Sequence, residues 1–231
     1  MSEKVLIIIL KGETKPGDFH IKKLKKTFSD DCFILHVLDC ETLDDTQRYH
    51  LALKYAKTEY QQHYCIIIKD SSLIYVNNIK NYIDEAITIN ADLFFLCKYQ
   101  DCCHQYIGVE HYPHFKWTFA CCATQAIMFK PKVRNLIIKQ LYQNSIEHIL
   151  LNNLKNNHLK GIVCLPNIVH FDIHLARTND DYYKLNECAI IKNEEDNTSD
   201  STNITCMVLI IILILFLVLI VPYYKNYNQL F

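Results

Sequence analysis

The chain has little glycine and little net charge, and each shortage excludes a class of function. Only four of its 231 residues are glycine, so it has no glycine-rich loop of the kind that cradles phosphate in P-loop and dinucleotide-binding proteins. The formal net charge is −1, which argues against a nucleic-acid partner held by general attraction to phosphate. Half of the residues are apolar, so the chain can form a sizeable core.

The cysteines lack the spacing of a disulfide framework. There are eleven, an odd number, and many stand inside apolar runs, where cysteine behaves as a small hydrophobic residue. This usage favours a reducing compartment. A zinc site from Cys97, Cys102, Cys103 and His104 is an alternative, but paired C-x₂-C knuckles are missing.

One long apolar run lies near the C-terminal end. Residues 204–221 read ITCMVLIIILILFLVLIV, without a charge. As a helix they would extend over roughly 27 Å, which matches the hydrocarbon thickness of a bilayer. We therefore expect a single-pass transmembrane helix there, preceded by a flexible acidic linker at 191–203 and followed by a short tail at 222–231.

The apolar run near the N-terminus bears on which side of the membrane the large domain lies. Val5–Leu10 is too short for the apolar core of a signal peptide. We expect a tail-anchored protein whose domain, residues 1–190, is cytosolic. The sequons at Asn197 and Asn203 keep the lumenal side open as the alternative.

Strand and helix patterns alternate through that domain. Helical patterns cover Asp18–Phe28, Leu43–Thr58, Ile79–Ile89 and a region from Pro131 to about Asn156. Strand patterns cover Val5–Leu10, Cys32–Leu38, Tyr64–Lys69, Leu93–Tyr99, Gln125–Lys130 and Gly161–Leu165, while 100–123 reads as irregular. The alternation predicts an α/β fold, a mostly parallel sheet flanked by helices.

Ligands of such sheets bind at the carboxyl ends of the strands. The strand ends that carry polar residues are Lys11–Gly12, Leu38–Asp39, Asp70–Ser72, Tyr99–Asp101 and Lys130. We expect the site among them.

Three stretches, in their order and spacing, carry a resemblance to a known family. HLALKYAKTEYQQHYCIIIKDSS is similar to a helix with a leading His and a strand that ends in an acidic metal motif of the Glu-Asp-Asp kind. ATQAIMFKPKVRNLII is similar to a Gly-Thr-x-Ala-Tyr strand with its helix, and LPNIVHFDIHLARTND to a closing Pro-x-Leu-Val-x-Gln segment. Over nearly all of residues 1–182 the chain resembles the GT-A glycosyltransferases, family twenty-five, of the lipooligosaccharide and procollagen galactosyltransferase type.

The resemblance implies a divalent cation, Mn²⁺ or Mg²⁺, that bridges carboxylates to the diphosphate of a nucleotide-sugar. Asp70 remains from the acidic motif, because its neighbours are Lys69 and a serine. We expect Asp70 and His170 to hold the metal, and Asp70, Ser72 and Lys11 to bind the nucleotide-sugar. Two alternatives stay open: Lys69 replaces the metal as the cation that faces phosphate, or Asp70 only ends a strand.

The same resemblance suggests the reaction. We expect transfer of a hexosyl group from a nucleotide-sugar to a hydroxyl acceptor, with Asp101 or His104 orienting the acceptor. The loss of acidic positions supports a different hypothesis, a catalytically inactive relative that serves as a membrane-tethered interaction protein or as a structural protein, for example of a virus.

Overall fold

The computed structural model describes residues 4–12, 17–74, 76–97, 107–119, 121, 123–165 and 167–171, without the side chains of 17–19, 170 and 171. The strands are β1 Val5–Lys11, β2 Phe33–Asp39, β3 Tyr64–Lys69, β4 Ser72–Ile74, β5 Leu93–Phe95, β6 Ile107–Val109, β7 Tyr112–Thr118, β8 Ala126–Phe129, β9 Gly161–Cys164 and β10 Val169–Phe171. The helices are α1 Gly17–Thr27, α2 Asp45–Glu59, α3 Ile79–Ile89, α4 Arg134–Gln140 and α5 Ile146–Lys155.

Eight strands form one mixed sheet in the order β2-β1-β3-β8-β5-β9-β7-β6, while β4 and β10 form a separate antiparallel pair. The α/β class is confirmed, but a mostly parallel sheet is wrong. Strand β8 runs antiparallel to both β3 and β5, and β7 runs antiparallel to β6 and β9. A parallel neighbour needs a crossover connection, usually a helix, and no helix lies in the described residues between β5 and β8.

The reversed direction of β8 moves one predicted site residue. Lys130 follows β8 and lies at the amino-terminal edge of the parallel strands, where its N–H donates to the Asp92 carbonyl at 3.1 Å. Its prediction at the carboxyl edge is therefore wrong. The irregular stretch predicted at 100–123 is also wrong in part, because the β6–β7 hairpin occupies most of 107–118.

The central strands are buried because helices cover them. Strands β1 and β3 read VLIIILK and YCIIIK, and almost every residue is inaccessible, which is typical of strands covered on both faces. Connections β1–α1–β2 and β2–α2–β3 step across the sheet in opposite directions, so right-handed crossovers place α1 and α2 on opposite faces. Accordingly α1 contacts β4, whereas α2 contacts α4 and α5.

Helix α2 has a well-defined start and an unusual end. At its start the Asp44 carboxylate accepts the Gln47 N–H at 2.8 Å, and the Gln47 side chain accepts the Asp44 N–H at 3.1 Å, which is a capping box. At its end the guanidinium of Arg134, 1% exposed, donates to the carbonyls of Ala56, Tyr60 and Gln61 at 2.7, 3.1 and 2.6 Å. Carbonyls at a helix C-terminus lack intrahelical donors and attract cations.

Among the described residues, no helix is long and apolar enough to cross a bilayer. The predicted transmembrane helix at 204–221 lies outside them.

Substitution of Arg134 by Met removes three hydrogen bonds that a charged, buried side chain donates to the end of α2. We expect the free energy of unfolding to fall by roughly 3 kcal/mol, measured by urea denaturation. Lys139→Met, an exposed change on the same helix, is the matched control and should cost less than about 0.5 kcal/mol. Equal losses in the two variants would contradict this role for Arg134.

Burial raises the pKa of the Cys65 and Cys164 thiols to about 12 each. A thiol of the unfolded chain ionises near pH ~8.5, so above that pH the folded state binds more protons and loses stability as the pH rises towards 12. At pH 9 we expect iodoacetamide to leave both residues unlabelled in the folded chain and to label both in urea, as read by peptide mass spectrometry. Rapid labelling of either cysteine without urea would contradict the raised pKa and the burial of that thiol.

Candidate functional site

The order of the strands predicts a ligand-binding crevice at the carboxyl ends of β1 and β3. The chain leaves β1 for β2 on one side and then returns to β3 on the other. At such a reversal the loops after the two strands diverge, and ligands of α/β sheets bind outside the carboxyl ends there. Gly12 follows β1 and Asp70 follows β3, so these two residues flank the crevice.

Asp70 is fixed at this position by the chain of β1. Its side chain is 5% exposed, and Oδ2 accepts the Gly12 N–H at 2.8 Å. Its own N–H donates to the Leu10 carbonyl at 3.0 Å. The carboxylate predicted for the site is therefore at the carboxyl edge, and it joins the ends of the two strands that form the crevice.

Gly12 leaves room between two charged groups. A Cβ built on Gly12 would lie 3.4 Å from Arg48 Nη1 and 3.5 Å from Asp70 Oδ1. These are ordinary contact distances, so alanine would fit, but its methyl group would occupy the space between guanidinium and carboxylate. Arg48 belongs to α2. Its side chain is fixed by Nε, which donates to the carbonyl of Cys40, before the helix, at 3.1 Å.

Lys11 also lies at this edge, as predicted. Its Nζ is 3.2 Å from Glu41 Oε1 and 3.5 Å from Asp39 Oδ2. The hydrogen bond with Glu41 and the charge of Asp39 raise the pKa of the Lys11 ammonium. This cation is therefore engaged by two acidic side chains at the ends of β2 and the following turn.

Lys69 and Asp70 are adjacent but have different partners. The Lys69 ammonium pairs with the Asp45 carboxylate of α2 and lies 3.4 Å from Thr124 Oγ1. Thr124 Oγ1 donates in turn to Glu147 Oε1 at 3.3 Å. Lys69 thus links β3 to α2 and to the start of β8, so a Lys69 that faces phosphate would have to leave Asp45.

The hydroxyls after Asp70 belong to a different contact. Gln125 Nε2 donates to Ser71 Oγ at 2.7 Å and to Ser72 Oγ at 2.9 Å, and Ser72 is 1% exposed. Sequence reasoning selected Ser72 as a ligand and missed Gln125 as its partner. The pairing joins residues 53 positions apart and has no local signal. The role of Ser72 in binding a nucleotide-sugar stays a prediction.

We call the charged residues at these strand ends, with Gly12, the carboxyl-edge cluster. It consists of Lys11, Gly12, Asp39, Glu41, Asp45, Arg48, Lys69 and Asp70. Sequence reasoning missed Arg48 because it stands within α2, and the topology alone brings that helix to the end of β1.

The structure does not describe the side chains of three predicted site residues. Asp101 and His104 lie outside the described residues. The backbone of His170 pairs with Leu73 in the β10–β4 ladder, three residues after Asp70, but its side chain is not described. Within the described ranges no group of three His, Cys, Asp or Glu side chains could hold a metal ion, so the metal site stays a prediction.

No family model matches the chain, and no curated protein matches its sequence. The solved structures to which the chain is similar include three of low sequence identity. One is a glycosyltransferase involved in the glycosylation of the major capsid of PBCV-1, with 11% identity, 60% of this chain and 68% of that chain covered, and a TM-score of 0.38. The resemblance to family twenty-five stays a prediction.

The other two structures come from different sources. A protein from STIV is 7% identical, with 73% of this chain and 86% of that chain covered and a TM-score of 0.45. A nucleoside-diphosphate-sugar pyrophosphorylase from Vibrio cholerae RC9 is 10% identical, with 78% and 80% covered and a TM-score of 0.41. These values describe similarity of architecture only.

Asp70→Ala removes the acceptor of a buried backbone N–H, whereas Asp70→Asn keeps an oxygen in its place. We expect the alanine variant to lower the free energy of unfolding by about 1–3 kcal/mol and the asparagine variant to lose clearly less. Urea denaturation of both variants measures the difference. If Asn costs as much as Ala, the carboxylate stabilises the fold through its charge and not through Gly12.

Proposed function

We propose that the chain is a glycosyltransferase that binds a nucleotide-sugar in the crevice between β1 and β3. In this proposal it transfers a hexosyl group to a hydroxyl acceptor. The observation that carries the proposal is the hydrogen bond between the Gly12 N–H and the buried Asp70 carboxylate at the point where the strand order reverses. It puts a fixed acceptor group where α/β sheets bind their ligands.

The diphosphate of the donor would lie against Arg48 and Gly12. Transfer of the sugar leaves a nucleoside diphosphate with growing negative charge, and a preorganised cation stabilises that charge. A guanidinium offers several N–H donors in a fork that matches phosphate oxygens. Because Gly12 carries no side chain, a phosphate oxygen can approach the backbone beside Arg48 closely.

Asp70 would orient the donor by accepting hydrogen bonds from its hydroxyl groups. An ionised carboxylate has about four acceptor positions, and the Gly12 N–H uses one of them. A divalent cation takes about six oxygen ligands, and Asp70 does not form such a site by itself. Mn²⁺ or Mg²⁺ held by Asp70 and His170, with Asp101 or His104 at the acceptor, remains our prediction from the family resemblance.

A non-catalytic binding protein is the second candidate function. The observation that favours it is the pairing of Lys69 with Asp45. Lys69 occupies a position that is acidic in the family motif, and its ammonium contributes to packing between β3 and α2. Such a protein would retain the crevice and bind a nucleotide-sugar without turning it over.

We also propose that residues 204–221 anchor the chain in a membrane and that the domain lies on the cytosolic side. The uncharged eighteen-residue run supports the anchor.

Binding is tested by thermal shift of the full chain with uridine- and guanosine-diphosphate sugars, with Mn²⁺ and with EDTA. A donor at 100 times its Kd should stabilise the folded state by ~2.7 kcal/mol and raise Tm by several degrees. Gly12→Ala, Arg48→Gln and Asp70→Asn should each reduce that shift. Release of nucleoside diphosphate in the presence of a hydroxyl acceptor measures turnover.

Asp92→Asn is the matched control. Asp92 is a buried carboxylate, 8% exposed, and its Oδ2 accepts the Lys160 N–H at 3.1 Å, but it lies at the opposite edge of the sheet. We expect this variant to keep the full ligand-induced shift. No shift with any nucleotide-sugar in either condition would refute both candidates, and a shift without turnover would favour the second.

A further inference from the structure

A separate cavity, open to solvent, lies beside α3 and the start of β7. Its volume is ≈ 410 Å³, and its walls come from Val76, Asn77, Asn78, Asn81, Tyr82, Glu85 and His114. The size is within the roughly 300–1,000 Å³ that is usual for small-ligand sites. The lining shares no residue with the carboxyl-edge cluster, so the cavity is distinct from the crevice between β1 and β3.

The spacing of residues in α3 forms one wall of this cavity. Asn78, Asn81, Tyr82 and Glu85 stand at positions i, i+3, i+4 and i+7, which is one face of a helix. The neighbouring face carries Ile79, Ile83 and Ala86, all buried. The core therefore fixes the rotation of α3, and this rotation turns three polar side chains and one aromatic ring towards the cavity.

The polar side chains of the wall face solvent and are available to a ligand, since Asn77, Asn78 and Asn81 are exposed and Glu85 is half-buried. Asn78 caps α3 without a side-chain hydrogen bond. The amides of Asn77 and Asn81 and the carboxylate of Glu85 likewise make no hydrogen bond to any described residue. A ligand with hydroxyl groups would meet both donors and acceptors here, because an amide offers two N–H donors and one carbonyl oxygen.

Aromatic rings form the other part of the wall. The ring of Tyr82 lies 6.5 Å from that of Phe115 and 6.3 Å from that of His114, measured between centroids. Phe115 is completely buried, so contact with it holds Tyr82 in place. A fixed aromatic ring next to polar groups provides an apolar face and a polar rim in the same cavity.

This combination selects among ligand classes. Among the described residues, the lining contains no Lys or Arg, so it does not match phosphate or another strong anion. Val76 is the only aliphatic residue in this described lining, so it does not match a purely apolar ligand. Three amides, one carboxylate and two rings match a neutral molecule that has many hydroxyls and flat C–H faces.

We infer that this cavity binds a neutral saccharide. Its designation as the acceptor subsite rests on the proposed glycosyl transfer, but saccharide binding itself does not. Val76 follows Asp70 by six residues, so the Cα atoms of these two residues are at most roughly 22 Å apart. In this proposal an oligosaccharide held at α3 covers that distance.

The inference is tested by ligand-observed NMR, with saturation transfer from the full chain to methyl galactosides, glucosides and mannosides. We expect transfer to at least one glycoside. Asn81→Ala and Glu85→Gln should each weaken its Kd about five- to tenfold, since the first removes an amide and the second replaces an acceptor oxygen by an N–H donor. Far-UV circular dichroism and Tm establish that both variants are folded.

Asp84→Asn is the matched control for Glu85→Gln. Asp84 is the adjacent acidic residue of α3, exposed and paired with Lys80 at 2.7 Å, and it does not line the cavity. We expect this variant to bind the glycoside with the same Kd as the unchanged protein. Absence of transfer to every glycoside, or a Kd unchanged in both cavity variants, would overturn the inference.

The glycoside test and the nucleotide-sugar test can fail independently of each other. A glycoside that binds when no nucleotide-sugar does would refute the proposed transferase and leave the saccharide site standing. Nucleotide-sugar binding and turnover without glycoside binding would refute this site alone.

Discussion

The fold depends on the parallel pairing of β1 with β2 on one side and with β3 on the other. This pairing puts two almost wholly apolar strands, β1 and β3, inside the sheet with a neighbour on each side. Strands that are buried on both faces need helices above and below them, which α1 and α2 provide. Because β1 and β3 are neighbours in the sheet, the residues that follow them, Gly12 and Asp70, meet at the carboxyl edge.

The polar contacts at the carboxyl edge hold these strand ends together. Asp70 joins the loop after β1 to the end of β3, Lys69 joins β3 to α2, and Gln125 joins the start of β8 to the residues after Asp70. Each contact satisfies a polar group that is wholly or partly removed from water, where a missing partner would be costly. The same contacts hold the candidate ligand-binding groups in fixed positions.

Local signals in the sequence predicted the parts of the fold that local physics determines. Strand β3 and helix α3 have the predicted bounds, because the apolar run of β3 and the 3.6-residue pattern of α3 are each complete within the segment. The start of α2 agrees as well, since Asp44 and Gln47 form their capping box within four residues.

The remaining features depend on distant residues, and the sequence did not predict them. The direction of β8 is decided by its pairing with β3 and β5, and the β6–β7 hairpin by pairing with β9. Asp70 could be placed at a strand end from its local sequence. Its contact with Gly12, 58 positions away, and the proximity of Arg48 follow only from the topology.

The guanidinium of Arg134 has a further consequence for how the molecule opens. It connects the last turn of α2 with α4, two helices that belong to different strand connections. The ends of most helices fray independently, with little free energy. Here Ala56, Tyr60 and Gln61 share one donor group, so fraying at the end of α2 must break the link to α4. The amide protons of the two segments should therefore exchange with solvent as one cooperative unit, and α2, which carries Arg48, is held against local opening from its far end.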